Sequence, residues 1–284
     1  MAPLAHPLVR LDMGLNPDLR SEAPGNAGQS KMRLSSVQVL YWLVPFVLAL
    51  LIMLPRLASP QFGLLDDGNS LRVAHHLADG QWQIGDVAAG RSRPLYWLFW
   101  SLPYLIAGPN PFSYFLANLV ALLVLVTCVI LLCRALNLGP LSSWLAVVIF
   151  VLTGPVVENF YTLSKGEPVQ LILVLLAIYV ALSRSRSGPV WRRMGVWSLI
   201  PILTFMAGIT KETVLVMIPV SLAWLVAAHL RRSAPGRVDG GNLRAAAAGF
   251  TVGGIVFLIY RAATVGPEVF GSGYASGFEF SVER

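Results

Sequence analysis

FSYFLANLVALLVLVTCVILL, residues Phe112–Leu132, decides the fold class. The run carries no charged side chain, and Arg134 follows it. A helix rises ~1.5 Å per residue, so a run of this length crosses a bilayer core of ~30 Å. Its residues do not alternate apolar with polar, as the strands of a transmembrane barrel would. The whole chain of 284 residues is 56% hydrophobic and only 12% charged. Soluble domains carry roughly 25% charged residues, which excludes an ordinary soluble fold.

Further apolar runs lie on both sides. The first expected span is Val37–Pro55, preceded by Lys31 and Arg33. Phe112–Leu132 is the second, followed by Trp144–Val157, Val169–Leu182, Val196–Ile209, Val214–Leu230 and Ala245–Tyr260. The expected fold is therefore an all-α membrane protein with about seven transmembrane helices. Residues 1–36, polar and rich in Pro, Gly, Asn and Ser, read as a disordered cytoplasmic tail. The first span is expected to serve as its own uncleaved signal. The transmembrane domain then covers 37–261, with a short extracytoplasmic tail at 262–284.

Orientation follows from the arginines. The net charge of +7 would suggest nucleic acid in a soluble protein. Here Arg134, Arg184, Arg186, Arg192, Arg193, Arg231, Arg232, Arg237 and Arg244 sit in short connections between spans. Basic connections stay in the cytoplasm, so no nucleic-acid partner is expected and the N-terminus lies inside. The expected location is multi-pass in the plasma membrane of a bacterial cell. Cys128 and Cys133, five positions apart on one helix, point to different faces and do not readily pair.

Between the first two spans, 56–93 reads as a long extracytoplasmic loop. Asn69–Asp79 within it is patterned as a short helix lying on the membrane surface. Pro94–Ala107 is apolar and aromatic but short for a span, and Pro103 interrupts it. It reads as an interfacial or re-entrant helix, its Tyr96, Trp97, Phe99 and Trp100 suited to the headgroup zone. Counting it as a span would move the arginine-rich connections outside.

The opposite face mixes both signs of charge. It holds Asp66, Asp67, Arg91 and Arg93, then Glu158, Lys165 and Glu167, then Lys211 and Glu212, and finally Arg261. Each element also has a plainer reading. Asp66-Asp67-Gly68-Asn69 is ordinary turn chemistry, Glu212 suits a helix start, and His75-His76 suits an exposed surface. Read as a site, carboxylates and cations at a membrane edge suit a substrate with a lipid tail and a phosphate. Arg or Lys would pair with the phosphate. A carboxylate would act as general base on an incoming hydroxyl. A phosphate leaving group needs charge stabilisation more than protonation. Adjacent side chains diverge, so one aspartate is the base and the other orients a cation, a possible divalent metal ion or the loop.

In this order the motifs resemble the multi-spanning glycosyltransferases of the GT-C type, in the protein O-mannosyltransferase-like and TMTC-like branch. The resemblance is carried by Leu65-Asp66-Asp67-Gly68, Arg93-Pro94-Leu95, Phe112–Leu119, Pro155-Val156-Val157-Glu158, Thr210-Lys211-Glu212-Thr213 and Tyr260-Arg261. It implies a GT-C-like fold and a polyprenyl-phosphate sugar donor. It also implies inverting transfer to a protein or glycan acceptor outside the cytoplasm. By that resemblance Asp66 is the first choice of base and Asp67 the second. Arg93, Lys211 and Arg261 would serve the donor phosphate or the site's structure. Ser164-Lys165-Gly166-Glu167 departs from the pattern, and relatives carry further spans. The chain is thus expected to be a fragment, a minimal version or an inactive remnant. Two other classes compete: a non-catalytic scaffold, and a transporter or flippase, which would place its charges at mid-bilayer instead of at span ends.

Overall fold

The computed structural model describes residues 36–63, 66–82, 91–163, 165–182, 190–230 and 240–265. Of the expected tails, 1–36 and 262–284, residues 1–35 and 266–284 lie outside the described residues, while Ser36 and 262–265 are helical; the arginine-rich stretches 183–189 and 231–239 also lie outside. Residues 1–39 form a unit of their own, of which only the backbone of 36–39 is described. From Leu40 onward the chain is one packed unit.

Every regular element among the described residues is helical. The order is α1 (Ser36–Ala58), α2 (Asp66–Ala78), α3 (Pro94–Ala107), α4 (Pro111–Ala135) and α5 (Pro140–Leu152). Then come α6 (Gly154–Tyr161), α7 (Glu167–Leu182), α8 (Val190–Gly208), a 3-10 helix at Glu212–Val216, α9 (Met217–Leu230) and α10 (Gly240–Val265).

The deciding run is α4. Asn110 caps it by accepting the Phe112 N–H at 3.0 Å, and Pro111 supplies a preset first turn. Phe115, Leu119, Leu122 and Val126 turn inward and are buried. On the outward side stand Leu116, Val120 and Val124, which are equally apolar and 42–54% exposed. Both faces being apolar is what a hydrocarbon surround requires, and water would penalise it.

Among the described residues two helices, Pro111–Ala135 and Ala246–Val265, are long and apolar enough to cross a membrane, and α5 with α6 makes a third if counted as one bent span. The other apolar helices are shorter in their described parts: Trp42–Ala58, Glu167–Leu182, Ser198–Gly208 and Glu212–Val226.

Several expected elements change shape. The third run is not one straight helix: α5 and α6 meet at a 50° bend. Pro155 lacks an N–H and its ring clashes with the preceding turn, so the helix restarts there. The sixth run opens with the 3-10 helix, and the seventh continues beyond Tyr260, taking Arg261 into α10. The acidic pair does not precede the short helix but opens it, since α2 begins at Asp66. Tyr96 and Trp100 do not sit as headgroup anchors. They are buried with Phe115, Leu122, Val147 and Phe160 in the larger core, where their rings fill volume between helices.

A second core joins α7, α8 and α10 through Ala177, Ala181, Ile200, Leu203, Ala246 and Phe250. Small residues make that approach possible. A Cβ on Gly253 would stand 2.6 Å from the Pro201 carbonyl and from Thr204. Helices that cannot rely on water to drive them together pack by such backbone proximity.

Candidate functional site

The mixed charges, scattered over the sequence, lie at the ends of α1, α6, α8 and α10 and at the starts of α2, α3 and α7. Arg93 caps the entry to α3 and reaches the 3-10 helix. Its Nε lies 3.1 and 3.0 Å from the two Glu212 oxygens, and its Nη2 lies 2.5 Å from Oε2. Both side chains are more than four-fifths buried. Burial pushes the Glu212 carboxyl up, but Arg93's hydrogen bonds and charge, with Arg261's charge, outweigh it. The net pKa lies below the ordinary glutamate value. Beside this pair the Lys211 ammonium donates to Glu167, and again the carboxyl is held low against its own burial.

Gln170, buried in the first turns of α7, fastens the same connection. Its Nε2 donates to the Lys211 carbonyl at 2.5 Å, and its Oε1 accepts the Thr213 hydroxyl at 2.8 Å. Ser92 and Tyr260 hydroxyls meet at 2.9 Å, tying the α3 entry to the end of α10. Gly166 lets the α6–α7 connection lie against Tyr96 and the Thr210 carbonyl, 3.1 and 3.4 Å from where a Cβ would stand. The stretch that departs from the glycosyltransferase pattern thus has a packing role here.

A second cluster surrounds a cavity of ≈ 310 Å³ lined by Arg56, Gln61, Phe62, Gly63, Asp67, Phe115, Tyr161, Thr162, Leu163 and Lys165. Asp67 is only 6% exposed, and its Oδ2 accepts the Gly63 N–H at 2.6 Å. A Cβ on Gly63 would press to 3.1 Å from that oxygen, so glycine is what lets the chain fold back onto the carboxylate. Tyr161 donates to the Ile52 carbonyl at 2.7 Å, holding α6 against α1. Asn118 of α4 donates to the Phe160 and Thr162 carbonyls at 3.2 and 3.4 Å, closing the end of α6.

A larger cavity of ≈ 470 Å³ lies between α4, α5, α6, α7 and the 3-10 helix. Leu125, Phe150, Val156, Leu171 and Val174 make its apolar wall, and Glu167, Gln170 and Thr213 its polar end. The α6–α7 connection borders the smaller cavity through Lys165, and the first residue of α7, Glu167, borders the larger one.

Of the expected site residues, Asp67 and Lys165 share the smaller cavity. Arg93, Lys211 and Glu212 are engaged with protein partners. Arg261, half-buried on α10, contributes its charge to Glu212. Glu158 is exposed and reaches Lys165 at 3.9 Å, while Arg91 stands half-buried just before the α3 entry. The Asp66 side chain lies outside the described residues. His75 is exposed, 3.3 Å from the Tyr104 hydroxyl and 3.8 Å from Asp79. Among the described residues no three His, Cys, Asp or Glu side chains gather as a metal site would need.

Arg56 is the residue sequence reasoning passed over. It follows Pro55 at the end of the first apolar run. That position was its only signal. No family model matches the sequence, and neither a curated protein nor a solved structure matches it.

Proposed function

We propose that the chain is a membrane glycosyltransferase that takes a sugar from a polyprenyl-phosphate donor and passes it to a hydroxyl on a protein or glycan. The observation that carries this reading is the smaller cavity. A buried carboxylate, Asp67, shares it with Arg56 and Lys165, next to an apolar cavity sized for part of an isoprenoid chain.

In this reading Asp66 or Asp67 removes the acceptor's proton as the acceptor oxygen attacks the anomeric carbon. The bond from that carbon to the phosphate oxygen breaks, its electrons leave with the polyprenyl phosphate, and the configuration inverts. Cations at the phosphate stabilise the departing charge, with no separate acid needed. The shorter apolar helices complete a seven-span bundle with the N-terminus in the cytoplasm and the acidic pair outside. Supporting this, the mixed charges gather at helix ends and not along the apolar midsections.

Substituting Asp66→Asn and Asp67→Asn separately tests the base. One of the two is expected to lose transfer by a factor of about 10² or more, with membrane insertion unchanged. Full transfer by both proteins rules out the proposed base. A second reading, a non-catalytic membrane scaffold, is favoured by the mutual pairing of Arg93 with Glu212 and Lys211 with Glu167. A purified chain that binds no polyprenyl-phosphate sugar would select it.

A further inference from the structure

Resemblance alone would give the phosphate to Arg93, Lys211 or Arg261, but Arg93 and Lys211 direct their charge into carboxylates of the protein itself, and Arg261's charge acts on Glu212. Arg56 is placed differently. Its guanidinium carbon lies 5.2 Å from the centre of the Tyr161 ring and 5.7 Å from that of Phe115. Its Nε is buried without a hydrogen-bond partner, and no carboxylate among the described residues pairs with it. Aromatic faces hold a cation in place without neutralising it, so the charge stays available to a ligand.

Lys165 faces the same cavity, and its contact to Glu158 is long, 3.9 Å, with that carboxylate side chain 71% exposed. So loose and solvated a pair costs little to exchange for a better anion. The described lining carries two cations, Arg56 and Lys165, and one carboxylate, Asp67, with Glu158 outside it at 3.9 Å from Lys165. An anion that takes the place of Glu158 at Lys165 and also meets Arg56 balances this lining when it carries a single charge. Arginine's planar fork suits the oxygens of a phosphate.

We infer that this cavity binds a singly charged phosphate diester, with Arg56 as its principal contact and Lys165 as the second. The lipid-linked identity of the diester rests on the transferase reading; the phosphate contact rests on the cavity.

The test is equilibrium binding of radiolabelled methyl citronellyl phosphate, a singly charged diester, to the purified full-length chain in detergent. Arg56→Gln is expected to weaken binding at least about tenfold, the loss of one charge-assisted contact, and Lys165→Gln by less. Arg72→Gln is the control: Arg72 is exposed on α2, bonded at 2.8 Å to Asn69, and its loss is expected to leave binding unchanged. Uncharged citronellol is expected not to compete.

Undiminished binding by Arg56→Gln overturns the inference, as does competition by citronellol equal to that of the diester. Inorganic phosphate, largely doubly charged at neutral pH, is expected to compete more weakly than the diester, and equal competition overturns the assignment of a singly charged ligand. If Arg56→Gln does not fold, acylation of Lys165 in the unaltered chain decides: protection by the diester supports the site, and unchanged labelling overturns it. Arg56-dependent binding by a chain that transfers no sugar keeps this site and removes the transferase reading. Transfer with an unchanged donor KM in Arg56→Gln does the reverse.

Discussion

Arg93 and Glu212 are 119 positions apart, and each looks like an ordinary loop charge in the sequence. Folded together, they form a fork-to-carboxylate pair in which three nitrogen–oxygen contacts fall within 3.1 Å. Removing either partner leaves the other charge largely buried and unpaired, a larger loss than the pair's own net worth. A double-mutant cycle with Arg93→Gln and Glu212→Gln is expected to give a coupling of roughly 1–3 kcal/mol in thermal unfolding in detergent. The pH dependence has a definite sign. Glu212 and Glu167 are held below the ordinary glutamate pKa, so their contribution is complete above that value, about 4.3. It is lost as pH falls through the depressed folded-state values. Glu212→Gln is therefore expected to flatten the acid limb of the stability profile. An unchanged acid limb would mean that the pair contributes nothing. That charges of both signs crowd these short connections was legible in the sequence. Which charge meets which was not, because pairing depends on contacts between residues over a hundred positions apart.

Among the elements, α10 shows how a glycine pattern becomes a contact. Gly249, Gly253 and Gly254 bring it against α8 and the start of α9, with a Cβ on any of them meeting another side chain at 2.6 Å. Gly253→Ala is expected to cost roughly 1–3 kcal/mol by forcing α10 away from the Pro201 backbone. Gly139→Ala, at the open start of α5 where a Cβ meets nothing within 4 Å, is expected to be neutral. Comparing the two melting temperatures checks this, and equal values would place no weight on the α8–α10 approach. Helix existence was legible from apolar runs and prolines, and α3 has the bounds read from the sequence, Pro94–Ala107. The bend between α5 and α6 was not foreseen, although Gly154-Pro155 carried the signal inside an otherwise continuous apolar run. The start of α2 was missed because Asp-Asp-Gly-Asn serves a turn and a first helical turn equally well.

For the molecule as a whole, topology is the property on which the proposed chemistry depends. The native cysteines, Cys128 and Cys133, are both buried in α4 and give little background to thiol reagents. With Arg72→Cys and Arg134→Cys made separately, a membrane-impermeant maleimide applied to intact cells is expected to label residue 72 and spare residue 134. Labelling of residue 134 alone would put the acidic pair in the cytoplasm and end the transferase reading. The sequence by itself determined that the chain forms long apolar helices, because hydrocarbon demands internally satisfied backbone and long uncharged runs record that demand locally. Only the tertiary structure decided how the charges are used. It closed Arg93 and Lys211 onto glutamates, buried Asp67 against Gly63, and lodged Arg56 between Tyr161 and Phe115. Whether a charge is satisfied within the protein or left for a ligand depends on neighbours that only the packing of distant helices brings within reach.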